Sequence, residues 1–406
     1  MKHASIIPLI GGETIGSMEA FGSLPSYMVT YSPFRDNESH LTNYLKHKGY
    51  DVPYVVLDED TSWRPNYVDS VSSVCPCAGL SFLSSGYGEQ NEANKWMPIA
   101  AEYVLGQIKP RVYWGENAPH LAGKVGKPVV EKLMAVARKH GYVMSLYRTK
   151  SLLHGVPQVR ERAFYFFWRG DSVPLLGYFD RPHRPIEDVI AGVRSNFQME
   201  PVNKDTPSRD DPYYRYLLEV IHGGITHRQH HDVMDRERPQ TGYLDVKSDI
   251  ERRGVTYREL AAWMEREGYH REVPKCLRAH DKLERGENIM RRGTMVPKNY
   301  IGAFVSHYPL MLTHPYEDRY VTYRESMTIM GMPDDFELLR PRRSINHVCQ
   351  NVPVQTARDM ASEVREFLLG NRRDMIRADL VLQKNHSQTH EVVSGGATAG
   401  SLEALI

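Results

Sequence analysis

The chain has 406 residues, 51 Lys plus Arg against 50 Asp plus Glu, 41% hydrophobic residues and 25% charged ones. That length allows two domains, each with a core of its own, and only four cysteines, with Cys75 and Cys77 two apart, exclude a disulfide framework and point to a reducing compartment. No basic segment followed by an apolar run opens the chain and no run of about 18 apolar residues occurs, which excludes a signal peptide and a membrane span and predicts a soluble, intracellular protein.

From the N-terminus, β-rich runs fall at Ser5–Ile10, Tyr27–Tyr31, Tyr54–Leu57, Val71–Val74, Val112–Trp114, Tyr142–Tyr147 and Ala163–Trp168, separated by helical patterns such as Pro98–Ile108 and Val129–His140. Val129, Leu133, Val136 and Ala137 are spaced i, i+4, i+7 and i+8, one stripe facing a sheet. Repeated βαβ units predict an α/β fold with a doubly wound, mostly parallel sheet, which binds ligands beyond the carboxyl ends of its strands. From about Arg181 to Lys298 the pattern gives way to charge, histidine and turn residues with one amphipathic helix, Tyr257–Glu267, so a second, smaller domain is expected at 181–300. A strand-like run at Ala303–Leu312 and a long helix at Thr356–Leu369 return residues 301–377 to the first domain (1–180). Residues 378–406 lack periodicity and are expected to be disordered.

Charge is uneven. Residues 1–100 carry 6 Lys/Arg against 11 Asp/Glu, whereas 271–298 carry 8 against 4, a distribution that suits a catalytic domain joined to one that contacts a polyanion. His222, His227, His230 and His231 form a cluster, but without cysteine or carboxylate at ligand spacing no metal site is expected.

Three loops carry chemistry. Cys77, in Val74-Cys75-Pro76-Cys77-Ala78-Gly79-Leu80-Ser81, follows a strand in a Pro/Gly loop where a thiol can be exposed as a nucleophile, while Cys75 reads as a core thiol. Glu116-Asn117-Ala118-Pro119 places a carboxyl at the same sheet edge, able to donate a proton if burial raises its pKa. Gly155-Val156-Pro157-Gln158-Val159-Arg160-Glu161-Arg162 puts Arg160 and Arg162 on one face of an extended segment, aimed at something anionic or carbonyl-rich.

In this order, and joined by Arg319-Tyr320-Val321-Thr322-Tyr323-Arg324-Glu325, Gly331-Met332-Pro333-Asp334-Asp335-Phe336 and Gln350-Asn351-Val352-Pro353-Val354, the loops resemble the DNA cytosine-5 methyltransferase family from about Ser5 to Leu369, with 181–298 unmatched. The resemblance implies a Rossmann-like methyltransferase sheet plus a target-recognition domain, S-adenosylmethionine (SAM) as cofactor, and double-stranded DNA as partner of a monomer. It also implies an intracellular setting such as restriction-modification or phage DNA modification. It assigns Cys77 as nucleophile, Glu116 as acid, and Arg162 with Arg160 as holders of the base, flipped out of the duplex. Pro76, Ser81 and Asn117 would line the base site, and Arg291 and Arg292 would contact DNA. For the cofactor it implies Ile7, Gly11, Gly12, Gly16, Asp36 (with Glu38 beside it), Asp58 or Asp60, and Asn351. The chain departs from the family where Ile7 stands for an aromatic residue, Leu9 for a glycine, Ala78 for a glutamine and Gln350 for a glycine. Competing expectations are a catalytically silent DNA-binding relative, an enzyme acting on RNA, and one transferring a different group.

Overall fold

The computed structural model describes residues 1–60, 62–81, 88, 91–291, 293–372, 375–377, 381–385 and 388–393. Two compact units emerge among the described residues: Met1–His183 with Met330–Arg340 and those from Asn346 onward, and Arg184–Ile329 with Pro341–Ile345. No described helix is long and apolar enough to cross a membrane.

In the first unit β1 (His3–Ile6), α1 (Gly12–Phe21), β2 (Met28–Thr30), α2 (Arg35–His47), β3 (Tyr54–Val56), β4 (Ser70–Val74), α3 (Trp96–Tyr103), β5 (Val112–Asn117), α4 (Lys127–His140), β6 (Tyr142–Lys150) and β7 (Glu161–Arg169) follow in turn. Two late strands, β8 (Val381–Asn385) and β9 (Gln388–Val392), complete a nine-stranded sheet of order β8-β9-β6-β7-β5-β4-β1-β2-β3. Strands β1 to β5 pair in parallel and the rest antiparallel. Strand order reverses between β1, which leads outward to β2 and β3, and β4, which leads to β5, and this switch point opens a crevice outside the carboxyl ends.

The sheet's centre is buried on both faces, which is why β7 reads Ala163-Phe164-Tyr165-Phe166-Phe167-Trp168 without polar alternation. Tyr113 stacks on Phe167 (5.3 Å) and Phe166 on Trp168 (5.2 Å). The stripe expected on α4 is largely buried, with Val129, Leu133 and Ala137 inward, and Gly141 ends that helix in the left-handed region, φ 77°. Helix α3 starts before the predicted Pro98, because a proline is tolerated in the first turn, where its missing N–H has no helical partner.

The closing helix, Val354–Leu368, packs on α1. A Cβ at Gly16 would lie 2.7 Å from both the Val354 carbonyl and the Arg358 amide, so the residue is glycine because two helix backbones touch there. The C-terminal expectation needs correction. Residues 381–385 and 388–392 are strands, and β9 pairs with β6 (His390 opposite Tyr147). Its inward positions, Gln388, His390 and Val392, are mostly polar, so hydrophobic alternation did not reveal it. Gln388 satisfies itself on the Tyr147 hydroxyl (2.9 Å) and on the Phe179 amide (2.9 Å) and carbonyl (2.6 Å).

The second unit runs on to Ile329, beyond the expected boundary near 300. It packs Tyr214, Leu217, Met234, Leu244, Ile250, Leu260, Trp263, Met264 and Cys276 into one core. Helix Tyr257–Arg266 starts at a Thr256/Glu259 capping box. The predicted strand Ala303–Leu312 is absent as such: Tyr308–Met311 makes a 3-10 turn with Pro309 as its second residue, which lacks the N–H a ladder needs.

Candidate active site

Register builds the site. Strands β4 and β5 align Val74 with Glu116, so Glu116 lies beside the strand end that continues, three residues later, to Cys77. Strands β5 and β7 align Asn117 with Ala163, which puts Arg162 at the same edge, and the Arg162 Nε is 3.1 Å from Glu116 Oε2. Both side chains are buried.

Cys77 leaves the sheet after Pro76 with φ −104° and ψ 4°, in the sparsely populated bridge region where reactive residues are often held. Its thiol is pushed up by burial, while Arg162 and then Arg160 pull it back and Glu116 adds to the rise. Cys75 is different: fully enclosed, it accepts from the Tyr165 hydroxyl at 3.8 Å, and burial drives its thiol up to about 12. The loop is held by Asn117, whose Nδ2 donates to the carbonyls of Cys75 and Pro76 (3.4 Å each) and whose Oδ1 accepts from the Ala118 amide (2.9 Å). Pro76 and Ser81 are half-buried on either side of the Ala78–Leu80 turn.

Burial raises the Glu116 carboxyl, and Arg162 and Arg160 oppose the rise. Arg160 is itself fully enclosed, and burial together with Arg162 lowers its pKa, though a guanidinium stays protonated near neutral pH. A thiol, a raised carboxyl and two guanidiniums therefore perturb one another at the carboxyl edge of β4 and β5.

The loop after β1 occupies the switch point. Ile7 (φ 54°), Leu9 (φ 48°) and Gly11 (φ 104°) are all left-handed. The Gly12 amide donates to Asn351 Oδ1 at 2.8 Å, and a Cβ on Gly12 would lie 2.2 Å from the Val352 carbonyl. Gly12 and Asn351 thus lock together. Asp36 and Asp58 are both exposed; Asp36 lies in the first turn of α2, and Asp58, just after β3, accepts from the Ser32 amide at 2.9 and 3.1 Å. Asp60 closes its own turn on Ser62 and Trp63.

Glu38, expected only as the neighbour of Asp36, is the more enclosed of the two. It is fully buried, accepts from Thr30 Oγ1 and the Tyr54 hydroxyl (both 2.6 Å) and from the Leu9 amide, and burial pushes its carboxyl up to about 8. The signal was available: Glu38, Leu41 and Leu45 are spaced i, i+3 and i+7 on the inward face of α2, and Asp36 is not on that stripe.

SAM requires an apolar or aromatic wall for adenine, an acceptor for ribose hydroxyls and a crevice lined by backbone. The residues present fit in kind. Ile7 ends β1, Tyr31 ends β2 with its ring 5.1 Å from Trp96, and Asp58 offers a carboxylate after β3.

Other predicted residues lie elsewhere. Arg291, in the second unit, is paired with Glu251 (Nε–Oε2 2.7 Å), and Arg292 lies outside the described residues. Of the histidine cluster, His227, His230 and His231 are buried and His222 is half-buried. The Tyr214 hydroxyl is 2.8 Å from His227 Nδ1 and 3.1 Å from His230 Nδ1, and burial lowers His230 and His231 to about 3.

A family model described as C-5 cytosine-specific DNA methylase matches residues 38–366. No curated protein matches the sequence. Among solved structures, an E. coli prophage protein named as a DNA modification methyltransferase is similar at 16% identity and a TM-score of 0.53, over 91% of this chain and 99% of that one. The Entamoeba histolytica methyltransferase EhMeth is similar at 12% identity and a TM-score of 0.51, over 91% and 98%. At such identities the likeness is one of fold.

Proposed function

Since the chain belongs to the C-5 cytosine-specific DNA methylase family, whose members are SAM-dependent DNA cytosine methyltransferases, we propose that it methylates C5 of a cytosine flipped out of duplex DNA, by way of a covalent bond to Cys77. The observation that carries this reading is the convergence of Cys77, Glu116 and Arg162 at one sheet edge, with Arg160 enclosed beside them.

Cytosine C5 is a weak nucleophile. Addition of the Cys77 thiolate to C6 moves the ring's electron pair toward C5, and Glu116, its carboxyl raised by burial, supplies a proton at N3 as the addition proceeds. Arg162, with Arg160 behind it, holds O2 and offsets the charge that develops there. Asn117 keeps the Cys75–Cys77 backbone in place throughout. When bound, SAM supplies the electrophilic methyl group. Ile7, the Gly11–Gly12 backbone, Asp58 and Asn351 would hold it, with Asp36 as the other candidate carboxylate and Gly16 acting through α1. Loss of the C5 proton to solvent then expels the Cys77 thiolate, and return of the N3 proton to Glu116 restores the ring. The second unit, with its basic segment 271–298, is assigned to target DNA; Arg291 would have to leave Glu251 to reach a phosphate.

The test is capture on duplex DNA carrying 5-fluorocytosine, since fluorine at C5 blocks the elimination that frees the thiol. Cys77→Ser should abolish the SAM-dependent adduct and Cys75→Ser should retain it. An adduct that survives Cys77→Ser would overturn the assignment. Mass spectrometry of nucleosides from methylated DNA should show 5-methylcytosine, and any other mass increment would refute methyl transfer.

A further inference from the structure

The loop between β6 and β7 carries Arg160 and leads straight into Arg162, the second residue of β7, and one buried chain of hydrogen bonds runs through it. The loop closes on itself where the Ser151 amide donates to the Arg160 carbonyl at 2.8 Å, and the Val156 amide donates back to Ser151. Inside it, His154 is fully buried. Its Nδ1 is 3.0 Å from Asp359 Oδ2, its Nε2 is 2.9 Å from Thr149 Oγ1, and its ring packs on Phe179 at 4.6 Å. The pattern closes with a neutral ring: Nδ1–H donates to the carboxylate and the Thr149 hydroxyl donates to Nε2. Burial, which lowers the His154 pKa, favours that state.

The two ends of this chain are informative. Thr149 sits directly opposite Arg162 in the β6–β7 register. Asp359 lies on the closing helix and also takes a two-pronged bond from Arg181 (Nε–Oδ2 and Nη2–Oδ1, 3.0 Å each). The same helix touches α1 at Gly16, and Asn351, just before it, holds the Gly12 amide. One rigid element therefore braces both the loop at the switch point and the arginine segment.

We propose that His154 and Asp359 are positioning residues, which set where Arg160 and Arg162 stand relative to Glu116 and the bound base. The proposal rests on the function proposed above. A brace of this kind acts through geometry, and a displacement of about 1 Å in such groups costs up to roughly 100-fold in rate. It also leaves an electrostatic trace. Glu116 faces Arg162 and Arg160 from the β7 side and Cys77 from the β4 loop, and the two arginines hold its carboxyl down against burial. If the brace is lost and they move away, the Glu116 carboxyl rises and the alkaline limb of the rate profile moves to higher pH.

The experiment compares the full-length wild type with His154→Phe, His154→Asn and Asp359→Asn. Adduct formation on 5-fluorocytosine DNA is timed across pH, and SAM affinity is measured by calorimetry. His154→Phe keeps the ring packing and loses both hydrogen bonds. It should slow adduct formation by about 10- to 100-fold, shift the alkaline limb upward and leave SAM affinity within about twofold. His154→Asn, whose Nδ2 can replace the Nδ1 donor to Asp359, should recover most of the rate. Asp359→Asn should fall between them. An alkaline limb that coincides with wild type in every variant, or a rate loss matched by equal loss of SAM affinity, would overturn the positioning role while leaving the proposed function intact. A wild-type protein that forms no adduct on DNA it demonstrably modifies would overturn both.

Discussion

Glu38 offers the sharpest physical test of the loop at the switch point. Its carboxyl has an ordinary value of 4.5 and a folded value of about 8, a difference that corresponds to roughly 5 kcal/mol of proton-linked free energy. The sign follows from which state holds the proton. Below pH 4.5 both folded and unfolded chains are protonated at this position and there is no linkage. Between there and about 8 the unfolded carboxyl ionises while the folded one keeps its proton, so stability falls as pH rises, and above that range the loss is complete. Glu38→Gln imitates the neutral acid in size, keeps an acceptor for Thr30, Tyr54 or the Leu9 amide, and does not titrate. Urea unfolding of wild type and variant at acidic, neutral and mildly alkaline pH should therefore show the variant gaining on the wild type by up to about 5 kcal/mol across the range. Parallel profiles would refute the reasoning. They would mean that water or a ligand reaches the carboxyl, and in that case Glu38→Gln should instead weaken SAM binding.

Two further outcomes follow from the same region. Gly12→Ala drives a methyl group into the Val352 carbonyl and the Asn351 side chain and breaks the 2.8 Å bond to Asn351, for a loss of about 2–4 kcal/mol; an unchanged melting temperature would show that the Asn351 segment yields freely. Asp58→Ala should weaken SAM binding by roughly 1–3 kcal/mol, while Asp36→Ala, in the first turn of α2, should leave it unchanged; calorimetry giving the reverse would make Asp36 the carboxylate that holds the cofactor.

The sheet was legible because its signals are local and apolar. Strands β2 to β7 all overlap runs of β-branched and aromatic residues, and α4 shows its stripe. The candidate site was legible for a different reason: Cys77 closely follows one such strand, and Glu116 and Arg162 lie at the ends of two others, so strand order carries all three to one edge. What could not be read depends on partners far away in the chain. Strand β9 buries Gln388 and His390 on residues more than two hundred positions earlier, and no window of sequence distinguishes that from a polar tail. Asp36 and Glu38 differ by two residues, about 200° around a helix, and a family resemblance placed on the linear sequence could not tell the exposed carboxylate from the buried one.

The departures in the loop after β1 bear on this directly. Ile7 and Leu9 carry side chains at φ 54° and 48°, where non-glycine residues cost of order 1–3 kcal/mol each. Such a backbone persists only if its surroundings fix it, and here they do. The Ile7 amide donates to Val29 on β2 at 2.9 Å, its carbonyl accepts from Val74 on β4, and the Gly11 amide donates to Pro8 at 3.0 Å. The Leu9 amide reaches Glu38 on α2, and the Gly12 amide reaches Asn351 ahead of the closing helix. Hydrogen bonds from four separate elements hold a shape that glycine would adopt without strain. A missing glycine in the motif is therefore weak grounds for expecting a different backbone. The change falls on the side chains instead: Ile7 and Leu9 are both buried, so the loop packs apolar side chains where a glycine loop would carry none.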